Sequence, residues 1–528
     1  MKNPILPAPR KVKNILPDAW RENAVSIVSS LGAVLMLCVV PLIFRDAFFD
    51  INRIKVYTVC AAVPVITVLM LVALFLDRGA SASLSPNRHV RSCFAAMGAF
   101  LASCLASYFA SGMSASVLLG NQGRYCGLLF FLCCGAAFYI IACGENSCER
   151  LYPAIVICAS AVALLGILNA HGLDPLGFYA RIKRGQEQMF MSTIGHFDFF
   201  GTYLVMLLPL AGSMFVFSKN HGKRIIGLSG FVLIALGSCA ARTDSALIGM
   251  HLGCAALLAL SAGSPRLMSR AFASWAVCFA ALPVVDALFR FGSLGVSFSG
   301  PHAWLCDTHI ALLIALALAC VSLVFFRLYR RGARQIGRGR AVAFGVSALL
   351  TLVLLYLALT VCFTYMHPET DLGAASGFLR FDDAWGSYRG FVYTRALDAF
   401  ASYSPAEKLF GRGLDTTKLI LEPYFDHPVI GIVGVFDDAH CQLLQLLLTG
   451  GLFCAGSFAA FYVMTLIALY RCAGYDPLLC GVVSSVFAYS VVMLINVTQP
   501  ILIVTYFSLC GLGFSRVGFI AKRRRKQE

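Results

Sequence analysis

Charge is what this chain has least of. Asp, Glu, Lys and Arg make up 13% of its 528 residues, against about a quarter in ordinary soluble domains. That excludes a conventional solvated globular enzyme. Long polar stretches are equally rare, and no segment is large enough to fold alone as a soluble domain. Cysteines are plentiful at 21, but they lack organisation. No CxxC pair or Cys/His cluster has zinc spacing. Outward segments hold almost none beyond Cys306, which argues against a disulfide framework. Cys133, Cys134 and Cys254 fall inside apolar runs, where cysteine acts as a small hydrophobe. Internal repeats, low-complexity tracts and a cleavable signal peptide are also missing.

What fills the chain is apolar residue, 59% of the total. It is arranged in runs of about 17–25 residues, each long enough to cross a bilayer core of roughly 30 Å. The expected fold class is an all-α polytopic transmembrane helix bundle, with about 14 spans and 12 as the alternative count. A membrane β-barrel would show short alternating segments instead. The expected division is a cytoplasmic N-terminal segment (1–25), an N-terminal membrane bundle (26–365), a large extracytoplasmic loop (366–440), C-terminal membrane helices (441–520) and a basic cytoplasmic tail (521–528).

Basic residues mark the cytoplasmic side of short loops. They occur in the N-terminal segment (Lys2, Arg10, Lys11, Lys13, Arg21) and in alternate connections: Arg78/Arg88/Arg91, Lys219/Lys223/Arg224 and the run from Arg327 to Arg340. With an even number of spans all of these fall on one side, so both termini are expected to be cytoplasmic. The net charge of +16 is then mostly a topology signal. It does not indicate nucleic acid, because no single basic domain gathers it.

Two outward loops stand out. One is His171–Gly195, with Arg181, Lys183 and Arg184. The other is Met366–Ala439, far longer than a typical connection. Trp385, Tyr388, Val392, Ala396 and Ala399 recur at helical spacing, which predicts an amphipathic helix over roughly Ala384–Tyr403. Ser404-Pro405 starts a second short helix that stops at Gly411-Arg412-Gly413. That glycine pair reads first as a helix stop, with an anion nest as the minor alternative.

The loop runs into a spanning helix at Asp437-Asp438-Ala439-His440-Cys441-Gln442. His440 thus stands at the membrane rim, and histidine is the side chain suited to proton transfer near neutral pH. Gly451 follows after ten residues, about three helical turns on, so the two share a face of one helix. Asp437 or Asp438 is expected to cap that helix. A helix N-terminus disfavours the imidazolium and neighbouring carboxylates favour it; sequence leaves that balance open.

Arginine suits diphosphate because its planar fork donates paired hydrogen bonds. Arg389 and Arg395 lie six residues apart, roughly 240° around a regular helix, so they do not readily share a ligand. Arg124 follows a glycine-rich approach, Gly120-Asn121-Gln122-Gly123. The pairs Asp382-Asp383 and Asp437-Asp438 read as capping or solvated groups before they read as metal ligands. Asp198, in Gly195-His196-Phe197-Asp198, and Asp244, in Arg242-Thr243-Asp244-Ser245, open spans; each faces a cavity or pairs with a nearby arginine.

Together these residues resemble the O-antigen ligase and O-antigen polymerase superfamily of bacterial envelope glycosyltransferases. The core of the resemblance runs from Arg389 to Leu452: the arginine, Tyr393 with Ala396-Leu397, Gly411 and Gly413, then Asp438-Ala439-His440 and Gly451-Leu452. Weaker echoes are Gly123-Arg124, Ser192 to Gly195 with Tyr203, Leu204 and Pro209, and Thr243-x-Ser245. The chain departs from the family at His196, Asp198 and Cys441, where asparagine is frequent, and at Ala246, where arginine is frequent.

The resemblance implies a C-type membrane glycosyltransferase moving a glycan from undecaprenyl diphosphate to a hydroxyl acceptor (lipid, glycan or protein) at the outer face of a bacterial inner membrane. His440 and Arg389 are the expected catalytic residues. Arg124, Arg181, Arg184, Arg395 and Arg412 are the candidate substrate-binding cations. No cofactor and no metal are expected. A polysaccharide polymerase using the same donor is the near alternative. A transporter or flippase of lipid-linked glycans is the more distant one, and the repeated halves common in such proteins are not evident.

Overall fold

The computed structural model describes residues 24–527 except 77–87, 145–147, 149, 184, 333–337, 498 and 526. The expectations for Arg184, for the basic residues of the N-terminal segment and for Arg78 lie outside these. Twelve helices are long and apolar enough to cross a membrane, and two shorter apolar helices join them. In chain order they are α1 Ala24–Leu42, α2 Ile51–Leu76, α3 Arg88–Ala110, α4 Leu128–Cys143, α5 Leu151–Ala170, α6 Phe197–Phe217 and α7 His221–Ala240. Then follow α8 Asp244–Ser261, α9 Pro265–Arg290, α10 Ile310–Arg330, α11 Gly345–Met366, α12 Gln442–Ala473, α13 Pro477–Val492 and α14 Pro500–Arg525. The protein is an all-α polytopic bundle. With the shorter pair, α4 and α13, the apolar helices number 14 among the described residues. A two-residue hairpin, β1 Phe190–Met191 with β2 Gly195–His196, is the only sheet among the described residues.

The helices pack together as one bundle. α6 lies at its centre, 89% buried over its span, and α14 is nearly as enclosed. The late helices interleave with early ones: α12 packs on α3, α13 on α6 and α14 on α4. By contrast α10 and α11 are almost wholly exposed, and their leucine-rich surfaces fit a lipid environment.

Alternate connections collect at the same end. Asn52 before α2's first full turn donates to Gly123 O and to Gln499 Oε1 at 2.7 Å each. Ser293 N donates to His171 O, Gln442 N to Met493 O, and Asn496 Nδ2 to Thr202 Oγ1 and Ser245 Oγ. The intervening connections meet at the other end, where Arg516 pairs with Asp476 at 2.8 Å and Tyr475 reaches Ala262 O. This is the arrangement that alternating passes produce. At the first of these ends Lys55, buried in α2, donates to Val40 O, Pro41 O and Ile43 O, each at 2.9 Å. These are carbonyls that the end of α1 leaves without intrahelical partners.

The large loop folds onto the first end. Its helix Trp385–Ala401 differs from the regular amphipathic helix that the spacing predicts. Gly386, Ser387 and Tyr388 are left-handed, with φ of 59°, 60° and 67°, so the regular helix begins at Arg389. The short helix Pro405–Phe410 opens with a reciprocal Ser404–Glu407 capping box.

A second difference lies in α12. It is broken at Gly451 (φ 73°, ψ −173°), so His440 and Gly451 do not share one continuous helical face. The break has a steric cause. A Cβ on Gly451 would stand 2.3 Å from Leu409 O, and one on Gly411 would stand 2.3 Å from the Thr449 backbone. Two chain segments therefore cross backbone to backbone at a pair of glycines. The amides of the glycine turn are spent here, Arg412 N on Leu448 O and Gly413 N on Thr449 O, so the turn is a stop and not an anion nest.

Gly451→Ala meets both the clash and a backbone region open essentially to glycine alone. It is expected to cost at least about 1–3 kcal/mol, read as a lowered unfolding midpoint in detergent. Leu452→Ala, on a half-exposed neighbour, is expected to leave the midpoint nearly unchanged.

Candidate active site at the loop-bearing end

The segment before α12 is held from several sides. Asp438 is fully buried, and its Oδ1 accepts from His440 N at 2.7 Å. Ala439 N donates to Gln445 Oε1 at 3.0 Å. Tyr393 Oη, from the loop helix, donates to His440 O and Leu494 O at 3.0 Å each. His440 itself is left-handed at φ 53°, a conformation that non-glycine residues hold only when their surroundings over-determine it. Neither aspartate caps α12, since its N-cap, Cys441, has no side-chain cap bond. Both carboxylates turn to Arg124 instead.

Arg124 is buried. Its Nη2 lies 2.6 Å from Asp437 Oδ1 and its Nη1 3.4 Å from Asp438 Oδ2. The 120–127 segment that carries it is bolted down by Asp415, whose carboxylate accepts from Asn121 N at 2.6 Å and Cys126 N at 3.2 Å. Burial pushes the Asp415 carboxyl up to about 7 against those bonds and the pull of Arg124. Burial also opposes ionisation of Asp437, but the Arg124 guanidinium prevails and holds it below the usual carboxylate range.

Arg389 differs in its commitments. Nη1 donates to Gly386 O at 2.5 Å, an acceptor presented by the left-handed turn, while Nε is buried without a hydrogen bond. Among the described residues no ion pair within 4 Å involves it. Its charge nonetheless acts on His440, on Tyr393 and on the carboxylates of Asp198 and Asp244. Those carboxylates stand at the starts of α6 and α8, each with an imidazole beside it: His196 Nδ1 is 3.6 Å from Asp198 and His302 Nδ1 is 3.6 Å from Asp244. His302 is 1% exposed, and burial followed by the charge of Arg242 pushes its pKa down to about 4. The sequence did not single out His302 or Asp415, because each acts through a distant partner.

The protonation balance left open by sequence is settled by burial. Desolvation, then Arg389 and Arg124, push His440 down to about 3, with Asp437 pulling the other way. Burial therefore holds the imidazole in its neutral form and leaves it a weak base until a nearby anion favours its protonation. Its Nδ1 is buried and makes no hydrogen bond among the described residues.

The fold thus brings together His440, Arg389 and Arg124. The other candidate cations among the described residues are engaged elsewhere. Arg395 lies over the rings of Phe391 and Tyr424 and pairs with Asp398 at 3.2 Å. Arg412 pairs with Glu407 at 2.8 Å and lies 4.5 Å from the Tyr403 ring centroid. Arg181, largely exposed, is 3.5 Å from Asp46. Asp383 faces His427 at 3.7 Å, and among the described residues no three His, Cys, Asp or Glu side chains converge as metal ligands do.

Comparison with curated proteins returns no match. Residues 307–459 match the family described as O-antigen ligase, a stretch that contains Arg389, His440 and the crossing glycines Gly411 and Gly451. With the polytopic fold, that match supports membership of the O-antigen ligase superfamily.

Proposed function

We propose that this protein is a ligase-like glycosyltransferase that moves a glycan from a polyprenyl diphosphate to a hydroxyl acceptor at the outer face of a bacterial inner membrane. The observation that carries this is the pairing of a neutral, strained imidazole with a guanidinium whose donors are largely uncommitted, at the end where the large loop gathers. In the proposed reaction His440 takes the proton of the acceptor hydroxyl as its oxygen attacks the anomeric carbon. The bond from that carbon to the diphosphate oxygen breaks, and the leaving polyprenyl diphosphate keeps the electron pair. Arg389 balances the charge that grows there, the role that preorganised donors serve best in a dry site. Guanidinium charge performs this neutralisation without a metal. The basic connections, opposite the site, are assigned to the cytoplasm together with both termini. A polymerase differs only in its acceptor, so the chemistry is common to both.

The test is transfer by purified protein in liposomes, with labelled undecaprenyl-diphosphate glycan and candidate acceptors. His440→Ala is expected to lower turnover by about 10²–10⁴-fold while its unfolding midpoint and donor binding persist; wild-type turnover would remove the base assignment. Arg389→Ala is expected to weaken donor binding or turnover, and Arg389→Lys to rescue it poorly, because an ammonium lacks the paired donors. Wild-type transfer is expected to continue in excess chelator. A loss restored by a divalent ion would instead point to a metal at the diphosphate.

A further inference from the structure

Arg124 and Arg389 both act electrostatically on His440, yet they are built for different tasks. Arg389 keeps guanidinium donors uncommitted. Arg124 spends its two terminal nitrogens on Asp437 and Asp438, is buried, and sits in a segment whose amides are locked onto Asp415. Asp438 in turn holds the His440 amide. A diphosphate reaching Arg124 would have to displace two carboxylates and leave Asp438, buried, without its cation. Leaving a buried charge uncompensated is strongly unfavourable.

We propose that Arg124 is a positioning residue, which sets the orientation of the His440 imidazole through Asp437 and Asp438 and does not touch the donor diphosphate. Asp415 holds the Arg124 segment in register for this task. The inference rests on His440 acting as the base.

The charged and titratable groups around His440 are Arg389 and Tyr393 on the loop helix, Arg124 on the 120–127 segment, and Asp437, Asp438 and Cys441 on its own strand of chain. Arg124 disfavours the imidazolium and Asp437 favours it. Removing Arg124's charge therefore moves the acid limb of the rate to higher pH, and removing Asp437's charge moves it to lower pH.

The experiment compares Arg124→Lys, Arg124→Gln and Asp437→Asn in reconstituted protein at saturating donor. A bound diphosphate favours the imidazolium and lifts the acid limb of kcat toward accessible pH. Arg124→Lys keeps the charge but not the two-carboxylate grip, and is the variant most certain to fold. It is expected to lower kcat by roughly 10²-fold, the scale of a small misplacement of a reacting group, with donor Kd unchanged. Arg124→Gln is expected to shift the limb up by roughly one pH unit and Asp437→Asn to shift it down. The double variant Arg124→Gln/Asp437→Asn is expected to show less than the sum of the two losses. A raised donor Kd with kcat intact would make Arg124 a diphosphate ligand and overturn the proposal. A smaller folded fraction with an unmoved limb would reduce it to a structural strut, which also overturns it. Failure of the base reading is separate, since it appears as activity in His440→Ala.

Discussion

A carboxylate as fully buried as that of Asp438 cannot stand at a membrane rim without a cation beside it. Arg124 supplies that cation, and much of the loop-bearing end follows from it. Desolvating Arg124 and Asp438 is costly, and their attraction offsets the cost only when geometry is good and other hydrogen bonds complete the set. Here the set is completed by the His440 amide on Asp438 and by the Asp415 carboxylate that fixes the 120–127 segment. An arrangement of this kind contributes little net stability compared with apolar packing. What it contributes is a unique geometry, and the residue whose geometry it determines is His440.

The two glycines of the loop act on a larger scale. Gly411 and Gly451 let the loop backbone cross the first turns of α12 at a separation no side chain permits. The crossing breaks α12 and ties the far end of the loop to the helix that carries the histidine. Arg389 reaches the same place by another device, the left-handed turn at Gly386, Ser387 and Tyr388. That turn starts the helix at the arginine and offers it a single carbonyl. The arginine that is ready for a ligand and the arginine that is already satisfied are thus distinguished by backbone structure as much as by charge.

Much of the fold was legible in the chain. Every apolar run read as a span is a helix, because in lipid a run of that length has no other way to satisfy its backbone. The least secure spans in the sequence, the seventh, eighth and last, are all full-length helices, whereas the two short ones are α4 and α13. Within the candidate site, His440 drew notice as an ionisable residue at the edge of an apolar run, and Arg389 through the helical spacing of the loop and the family resemblance. The partnership of Arg124 with Asp437 was not legible, since the two lie 313 positions apart and local spacing carries no information about such a meeting. The kink before Arg389 was missed for a different reason. Apolar periodicity continues through it, so the pattern of side chains masks three residues whose backbone has changed hand. His302 escaped for the first reason, being unremarkable until Asp244, itself noted at the start of a span, is placed beside it.

The separation between Arg124 and its carboxylates bears on how the chain is made. Arg124 lies in the first quarter of the polypeptide and Asp437 in the last. While the ribosome works through the eight intervening membrane helices, the guanidinium waits at the rim with no counterion from its eventual partners. The site is consequently among the last things to be assembled during biogenesis. A nascent chain arrested before the large loop would carry the Arg124 guanidinium without either of its carboxylate partners, which gives quality control a chemical mark of incompleteness.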